Sequence, residues 1–296
     1  MHEPCTPPSY TGLCMAPRLI VNADDFGLTR GINRAIAELH QAGALTSATL
    51  MASGPAFDDA VAIARAHPAL GVGCHIVLTD GTPVCPPHTV PTLCPNQRTF
   101  RTSLAAFARD LLLHRIDPAD IQREALAQLN KIECAGIRPT HFDTHKHTHI
   151  FPRVAAQLAA ILRRAPFLSL RNPFEPGFAK HAAHAPLKRR LQVALLDRFQ
   201  PAYERVTAGL PTTSGSLGIS ATGSLNAATL RDTLAALPTT GTFELLCHPG
   251  YNDADLDRIN TRLRYHREIE YQALLAQIPQ LRLQPNPPEL IHYGDG

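Results

Sequence analysis

The sequence predicts an α/β fold: an irregular barrel of βα units in one domain, with an open doubly wound sheet as the alternative. Three observations carry that expectation. From residue 18 onward, short apolar runs alternate with stretches of helical periodicity, the pattern of a parallel sheet. Residues that do chemistry stand in or after several of those runs, as in Asp24-Asp25, His75 and His248. Carboxyl ends of strands are where α/β proteins place their sites. A length of 296 residues, 44% of them hydrophobic, suits one barrel-sized core or two smaller ones, and no linker divides the chain.

The elements follow in order. Leu19–Asp24 reads as the first strand. A helix runs from Thr29 to Ala42, with Ile32, Ala35, Ile36 and Leu39 at helical spacing and Gly43 as its stop. Ser47–Ala52 is the second strand, Phe57–Ala66 a helix ending before Pro68, and Val72–Leu78 the third strand. Residues 79–99 form a proline-rich loop, either a lid or substrate wall or a plain surface excursion. Helices follow over Ser103–His114 and Pro118–Ala135. The second has Asp117 as N-cap, Pro118 in its first turn and Gly136 as its stop. Thr140–Thr144 is the fourth strand, Pro152–Arg164 a helix and Phe167–Arg171 the fifth strand. Residues 180–210 are helical with poorly marked boundaries. Leu217–Ser220 and Thr242–Cys247 are short strands around a helix over Asn226–Leu237. A long helix over Asp255–Ile278 and a last strand at Leu290–Tyr293 complete the chain. There is no internal repeat, no G-x-G-x-x-G after the first strand and no Walker lysine, so a Gly-rich nucleotide loop is unsupported.

Bulk properties narrow the class. Net charge is +3 and charged residues are 18%, which gives no basic stripe for nucleic acid. The densest basic run, Lys188-Arg-Arg190, reads as a solvated helix face. Seven cysteines, an odd number without a C-x-x-C pair, read as reduced thiols of a cytoplasmic protein. No run approaches the roughly 18 apolar residues of a membrane span. Residues 1–17 lack the features of a signal peptide and read as a disordered extension, with Met15 a candidate start and 18–296 the domain. No feature encodes an oligomeric state, and a homodimer is left open.

The polar residues suggest a mononuclear metal site with an acid and a base beside it. Amide hydrolysis needs a polarised carbonyl, a base for water and an acid for the leaving amine. Asp24 and Asp25, at a strand-end turn, can split the work: one ligates, the other stays free. His75 stands in the third strand. His141, Asp143, His145, His147 and His149 recur every second residue and would share one face of an extended chain. Not all four histidines can ligate; some must support the others or touch substrate.

Four segments together resemble the YdjC-like carbohydrate deacetylases, a group that includes chitooligosaccharide deacetylases and hopanoid-associated proteins. They are Val21-Asn-Ala-Asp-Asp-Phe-Gly-Leu28, Gly73-Cys-His75-Ile-Val-Leu-Thr79, Pro139-Thr-His-Phe-Asp-Thr-His145-Lys-His-Thr-His-Ile-Phe-Pro152 and Leu246-Cys-His248-Pro-Gly250. The resemblance runs from about Arg18 to the C-terminus. It implies a distorted (β/α) barrel and metal-dependent removal of acetyl from an N-acetylated sugar. It implies Asp24 as the base, Asp25, His75 and His145 as metal ligands, His248 near the leaving group as the acid, and Arg171 beside the base carboxylate. The implied cofactor is one divalent ion, Mg2+ or Zn2+; two imidazoles and a carboxylate suit zinc, and the resemblance allows magnesium. Cys74 departs from the larger apolar residue often seen before the third-strand histidine. The competing readings are a metal-dependent phosphoesterase or nuclease of similar barrel shape and a non-catalytic metal- or sugar-binding protein.

Overall fold

A computed structural model describes residues 16–295. Residues 1–15 lie outside the described residues, and with them most of the expected extension and the candidate start at Met15.

The elements in chain order are β1 (Arg18–Phe26), α1 (Arg30–Gln41), β2 (Ser47–Leu50), α2 (Phe57–Ala66), β3 (Gly71–Ile76), α3 (Leu104–Leu112), α4 (Pro118–Cys134), β4 (His141–Thr144), α5 (Pro152–Leu162) and β5 (Ser169–Leu170). Then come α6 (Gly177–Ala182), α7 (Leu187–Asp197), α8 (Gln200–Thr207), β6 (Ser216–Leu217), α9 (Ala227–Ala235), β7 (Thr242–Cys247), α10 (Ala254–Asp257), α11 (Tyr265–Leu281) and β8 (Glu289–Leu290). Side chains placed by sequence at helix starts do cap them: Thr29 accepts from the Ile32 amide, Asp117 from Ala119, and Asn226 from Ala228 and Thr229.

The strands form one parallel sheet in the order β5-β4-β3-β2-β1-β7-β6, with β8 beside the start of β1. The sheet curls toward a barrel that no ladder closes between β5 and β6 among the described residues. Irregular segments bridge that seam: the Leu170 amide donates to the Pro211 carbonyl at 2.9 Å, and the Ser216 amide to Phe174 at 3.1 Å. The result is the distorted (β/α) barrel that the resemblance implies, rather than an open doubly wound sheet.

Strand alternation separates two environments. Leu19, Val21 and Ala23 of β1 join the main apolar core between sheet and helices. Ile20, on the other side, packs with Ile291 and Tyr293 in a small plug. Above it the inside of the curl is polar: Asn22, Asp24, Thr49, His75, His141, Asp143, Arg171 and Glu244 are all buried. The His141 ring stacks on Tyr293 at 3.9 Å and fills the space a side chain on Gly73 would need, so only glycine fits there.

Two expectations are corrected. The helix expected over Asp255–Ile278 is two helices, because the Arg264 guanidinium folds back onto the carbonyls of Leu256, Asp257 and Ile259 and closes α10. The histidine segment does not stay extended. It leaves β4 at Thr144 for a 3-10 turn over His145–Ile150, in which Lys146 and His147 have φ of 55° and 52°. The period-two face therefore ends at Asp143.

Candidate metal centre and catalytic pocket

Asp24 and Asp25 reach the same pocket because β1 carries a bulge. Against β2, Ala23 pairs with Ala48 but Phe26 with Leu50, so β1 holds one residue more than its partner. Asp25 takes up the excess with φ 66°, a conformation a short acidic side chain tolerates. Neighbours that a regular strand would send to opposite sides thus stand together.

Asp25 meets both of the histidines paired with it by the sequence. Its Oδ1 lies 3.2 Å from His145 Nδ1 and 3.7 Å from His75 Nε2, while Oδ2 accepts from Arg267 at 2.5 Å. All three donor atoms fall within 4.8 Å of one another. Ligands about 2.1 Å from a tetrahedral ion stand roughly 3.4 Å apart, so this spacing fits one cation. Asp143 fixes the tautomer of His75: the two are register partners across β3 and β4, and Nδ1 bonds the Asp143 carboxylate at 2.9 Å. His75 Nε2 is then buried without a hydrogen-bond partner and faces the Asp25 carboxylate. An orphaned imidazole nitrogen beside a carboxylate and a second imidazole is the donor set a divalent ion requires.

Asp24 is held apart from that set. Arg171 grips both its oxygens, at 2.7 and 3.1 Å, and Asn22 and Thr49 add bonds at 3.2 Å. The Arg171 guanidinium, fully buried, also pairs with Asp143 and with Glu244 at 2.6 Å, so one cation serves three carboxylates. A second group of close donors, Asp24, His75 and Asp143, is already filled by Arg171 and offers no open cation site. His248 lies across from Asp24, with Nε2 3.9 Å from Oδ2, and its backbone amide donates to Glu270 at 2.5 Å.

Charge and burial set the protonation states. Burial pushes the Asp24 carboxyl up, but Arg171, His75 and His248 together hold it well below the usual carboxylate range. Asp25 is likewise raised by burial and brought well below by Arg267 and His145. Burial depresses His75, yet Asp143, Asp24 and Asp25 outweigh it and raise the imidazole to about 9. His248 is lowered to about 4, chiefly by burial, so it is neutral near pH 7. Burial lifts Glu270 to about 7.

Of the remaining histidines of the segment, His141 and His149 are tied into the fold, whereas His147 Nδ1 has no hydrogen-bond partner. His149 Nδ1 bonds Thr144 Oγ1 at 2.7 Å, and His147 is lowered to about 3, mainly by burial. Sequence reasoning missed Arg267, Glu270 and Glu244. The first two are buried on α11 on the same side as Leu274, Ile278 and Leu281, a stripe in which charged residues replace apolar ones. Glu244 sits inside an apolar strand, and there a lone carboxylate is itself a signal.

A profile of the YdjC-like proteins matches residues 18–283. The chain belongs to the YdjC-like family. A carbohydrate deacetylase from Brevibacillus brevis strain 47 is 44% identical over 137 residues, 46% of this chain and 52% of that protein. One from Listeria welshimeri is 35% identical over 172 residues, 54% of this chain and 69% of that protein. The chain spans about half the length of the first carbohydrate deacetylases it matches. A solved Enterococcus faecalis V583 protein, provisionally described as a cellobiose-phosphate cleavage protein, has the same fold. It has a TM-score of 0.75 at 24% identity, covering 95% of this chain and 98% of its own.

Proposed function

We propose that this YdjC-like protein is a metal-dependent hydrolase that removes acetyl groups from N-acetylated carbohydrates. One observation carries the reading: Asp25 lies in a three-donor cluster while its neighbour Asp24 is held off that cluster by Arg171, with His248 on its far side. That is a ligand, a free base and an acid around one space. The carbohydrate deacetylase relatives support the substrate class. A divalent ion, zinc or magnesium, held by Asp25, His75 and His145 would polarise the acetyl carbonyl and ease deprotonation of water.

The chain's own residues then divide the proton work. Asp24, kept ionised by Arg171, accepts the proton of the attacking water. A carboxylate with so low a pKa holds that proton weakly, which favours handing it on. His248, neutral near pH 7 and 3.9 Å away, takes it up and delivers it to the departing amine. The Glu270 carboxylate fixes the His248 backbone. A phosphoesterase of the two-metal kind needs a second cation, and Arg171 occupies the only other donor cluster among the described residues. Candidate substrates are chitooligosaccharides, single N-acetylglucosamine units and acetylated glycolipids. The described cysteines are all free thiols, which suits the cytoplasm.

The test is acetate release from chitobiose and N-acetylglucosamine by protein stripped of metal and then reloaded with zinc or magnesium. Release that depends on added metal supports the reading. A protein that binds one ion per chain yet frees no acetate from any acetylated glycan would sink it.

A further inference from the structure

Helix α7 presents a face that the candidate site does not use. Leu187, Leu191 and Leu195 recur every fourth residue and are 69, 62 and 63% exposed. The helix is anchored by its other side: Val193 packs with Ile219 and Leu246, and Arg189 donates to the Ile219 carbonyl at 2.5 Å. At about 100° per residue, Lys188 borders the leucine stripe on one side and Arg190 on the other. Arg198 follows at the helix end. None of these three cations has an acidic partner among the described residues. Beside the stripe, a groove of about 570 Å³ between α6 and α7 is lined by Lys180, His181, His184 and Arg190 around Leu187 and Leu191. Its one acidic lining residue, Asp197, is paired with Lys180 at 2.6 Å, and Asp232 lies 3.6 Å from His184.

We propose that this face of α7 docks onto an anionic lipid surface. Leucines flanked by unpaired cations match an interface of acyl chains beneath negative headgroups. The charge argues against a second copy of the chain, because pairing α7 with itself would set Lys188 and Arg190 against cations. The size argues against a stable protein partner. Three leucines span about 12 Å of helix, far less than the roughly 800 Å² per side of a specific protein interface. On its anchored side α7 packs through Val193 on Leu246, two residues before His248 in the chain. The inference stands apart from the reaction assigned to the candidate site.

The experiment is co-sedimentation of the full chain with phosphatidylglycerol–phosphatidylcholine vesicles and with phosphatidylcholine vesicles, at low and high salt. Binding at least about tenfold stronger to the anionic vesicles, and weakened by salt, is expected. Leu187→Ser, Leu191→Ser and Leu195→Ser together should abolish it, as should Lys188→Glu with Arg190→Glu. Both variants should keep the wild-type thermal melt and the wild-type acetate release from a soluble sugar. No sedimentation of wild type with anionic vesicles overturns the proposal, and so does equal binding by the charge variant. Concentration-dependent dimers that the leucine variant abolishes, without vesicle binding, would reassign the face to a second copy. Capture of an acidic protein without vesicle binding would reassign it to that partner. Absence of acetate release in wild type would count against the deacetylase reading alone.

Discussion

One guanidinium, Arg171, decides how the two aspartates differ. It bonds Asp24 twice and leaves Asp25 to Arg267 and the histidines. Asp24→Asn should therefore cut acetate release by about 10²–10⁴-fold while metal content, read by mass spectrometry, stays near one ion per chain. His75→Ala and His145→Ala should lose the ion as well as the activity; ion retention by both would refute the ligand assignment. His75 adds a pH signature. Its metal-free pKa is raised to about 9, above the ordinary 6.5, so between those values an incoming ion displaces a proton from the ring. Metal titrations in two buffers of different ionisation heat should show about one proton released per ion near pH 7.5. Identical heats in both buffers would contradict this. Of the six residues proposed for the site, Asp24, Asp25 and His248 stood out at the ends of apolar runs and His75 inside one, whereas His145 and Arg171 were singled out by the resemblance to the YdjC-like proteins. Arg267 and Glu270 were not, since a charged residue on a helix reads as solvent-facing unless its neighbours along the buried stripe are counted.

Among the elements, the loop over residues 79–99 is tied down by hydrogen bonds at several points. Glu124 of α4, fully buried, accepts from the amides of Val84 and Cys85 and from Gln128, each at 2.8 to 3.1 Å. Asp120 takes the Thr92 amide and hydroxyl, and Lys146 reaches Asp80 at 2.6 Å. Glu124→Ala would leave three donors without their acceptor, and the two buried ones, from Cys85 and Gln128, would cost about 1–3 kcal/mol each. We expect a lower melting temperature and faster hydrogen exchange at Val84 and Cys85. Unchanged exchange there would show that the loop does not depend on Glu124. The helix carrying Glu124 was legible from Asp117, Pro118 and Gly136. Its hold on the loop was not, because that bond joins residues about forty positions apart. The turn after Thr144 was hidden for another reason: nothing in Lys146-His147 announces two consecutive left-handed residues.

Across the whole molecule, the polar interior makes stability depend on pH. Burial lowers His147 to about 3 and His248 to about 4, and takes His141 and His149 well below their ordinary range. The unfolded chain binds protons at these positions that the folded one refuses. Their contribution is present above the unfolded value of about 6.5 and is lost as pH falls through the folded values. Each adds at most about 1.4 kcal/mol per pH unit within its window. Glu270, raised to about 7, works the other way over the same range, so the melt sums opposing groups and the rings are read directly: NMR titration of metal-free protein should find these imidazoles still neutral at pH 5, and rings that charge near 6.5 would mean that they are not buried neutral. The parallel order of strands followed from the βα alternation, which needs only local pattern. The open seam between β5 and β6 did not, because β5 and β6 are two-residue strands whose partners are set by the segments around them.

The extra residue in β1 makes the pocket sensitive to the number of residues as well as to their identity. Removing Ala23 or Phe26 would restore even pairing with β2 and rotate one carboxylate through the sheet into the apolar layer. In a scan of single-codon deletions, those two positions should be as intolerant as the aspartates between them. The same scan through the irregular segments between β5 and β6 should find the chain far more forgiving, since no ladder there keeps count.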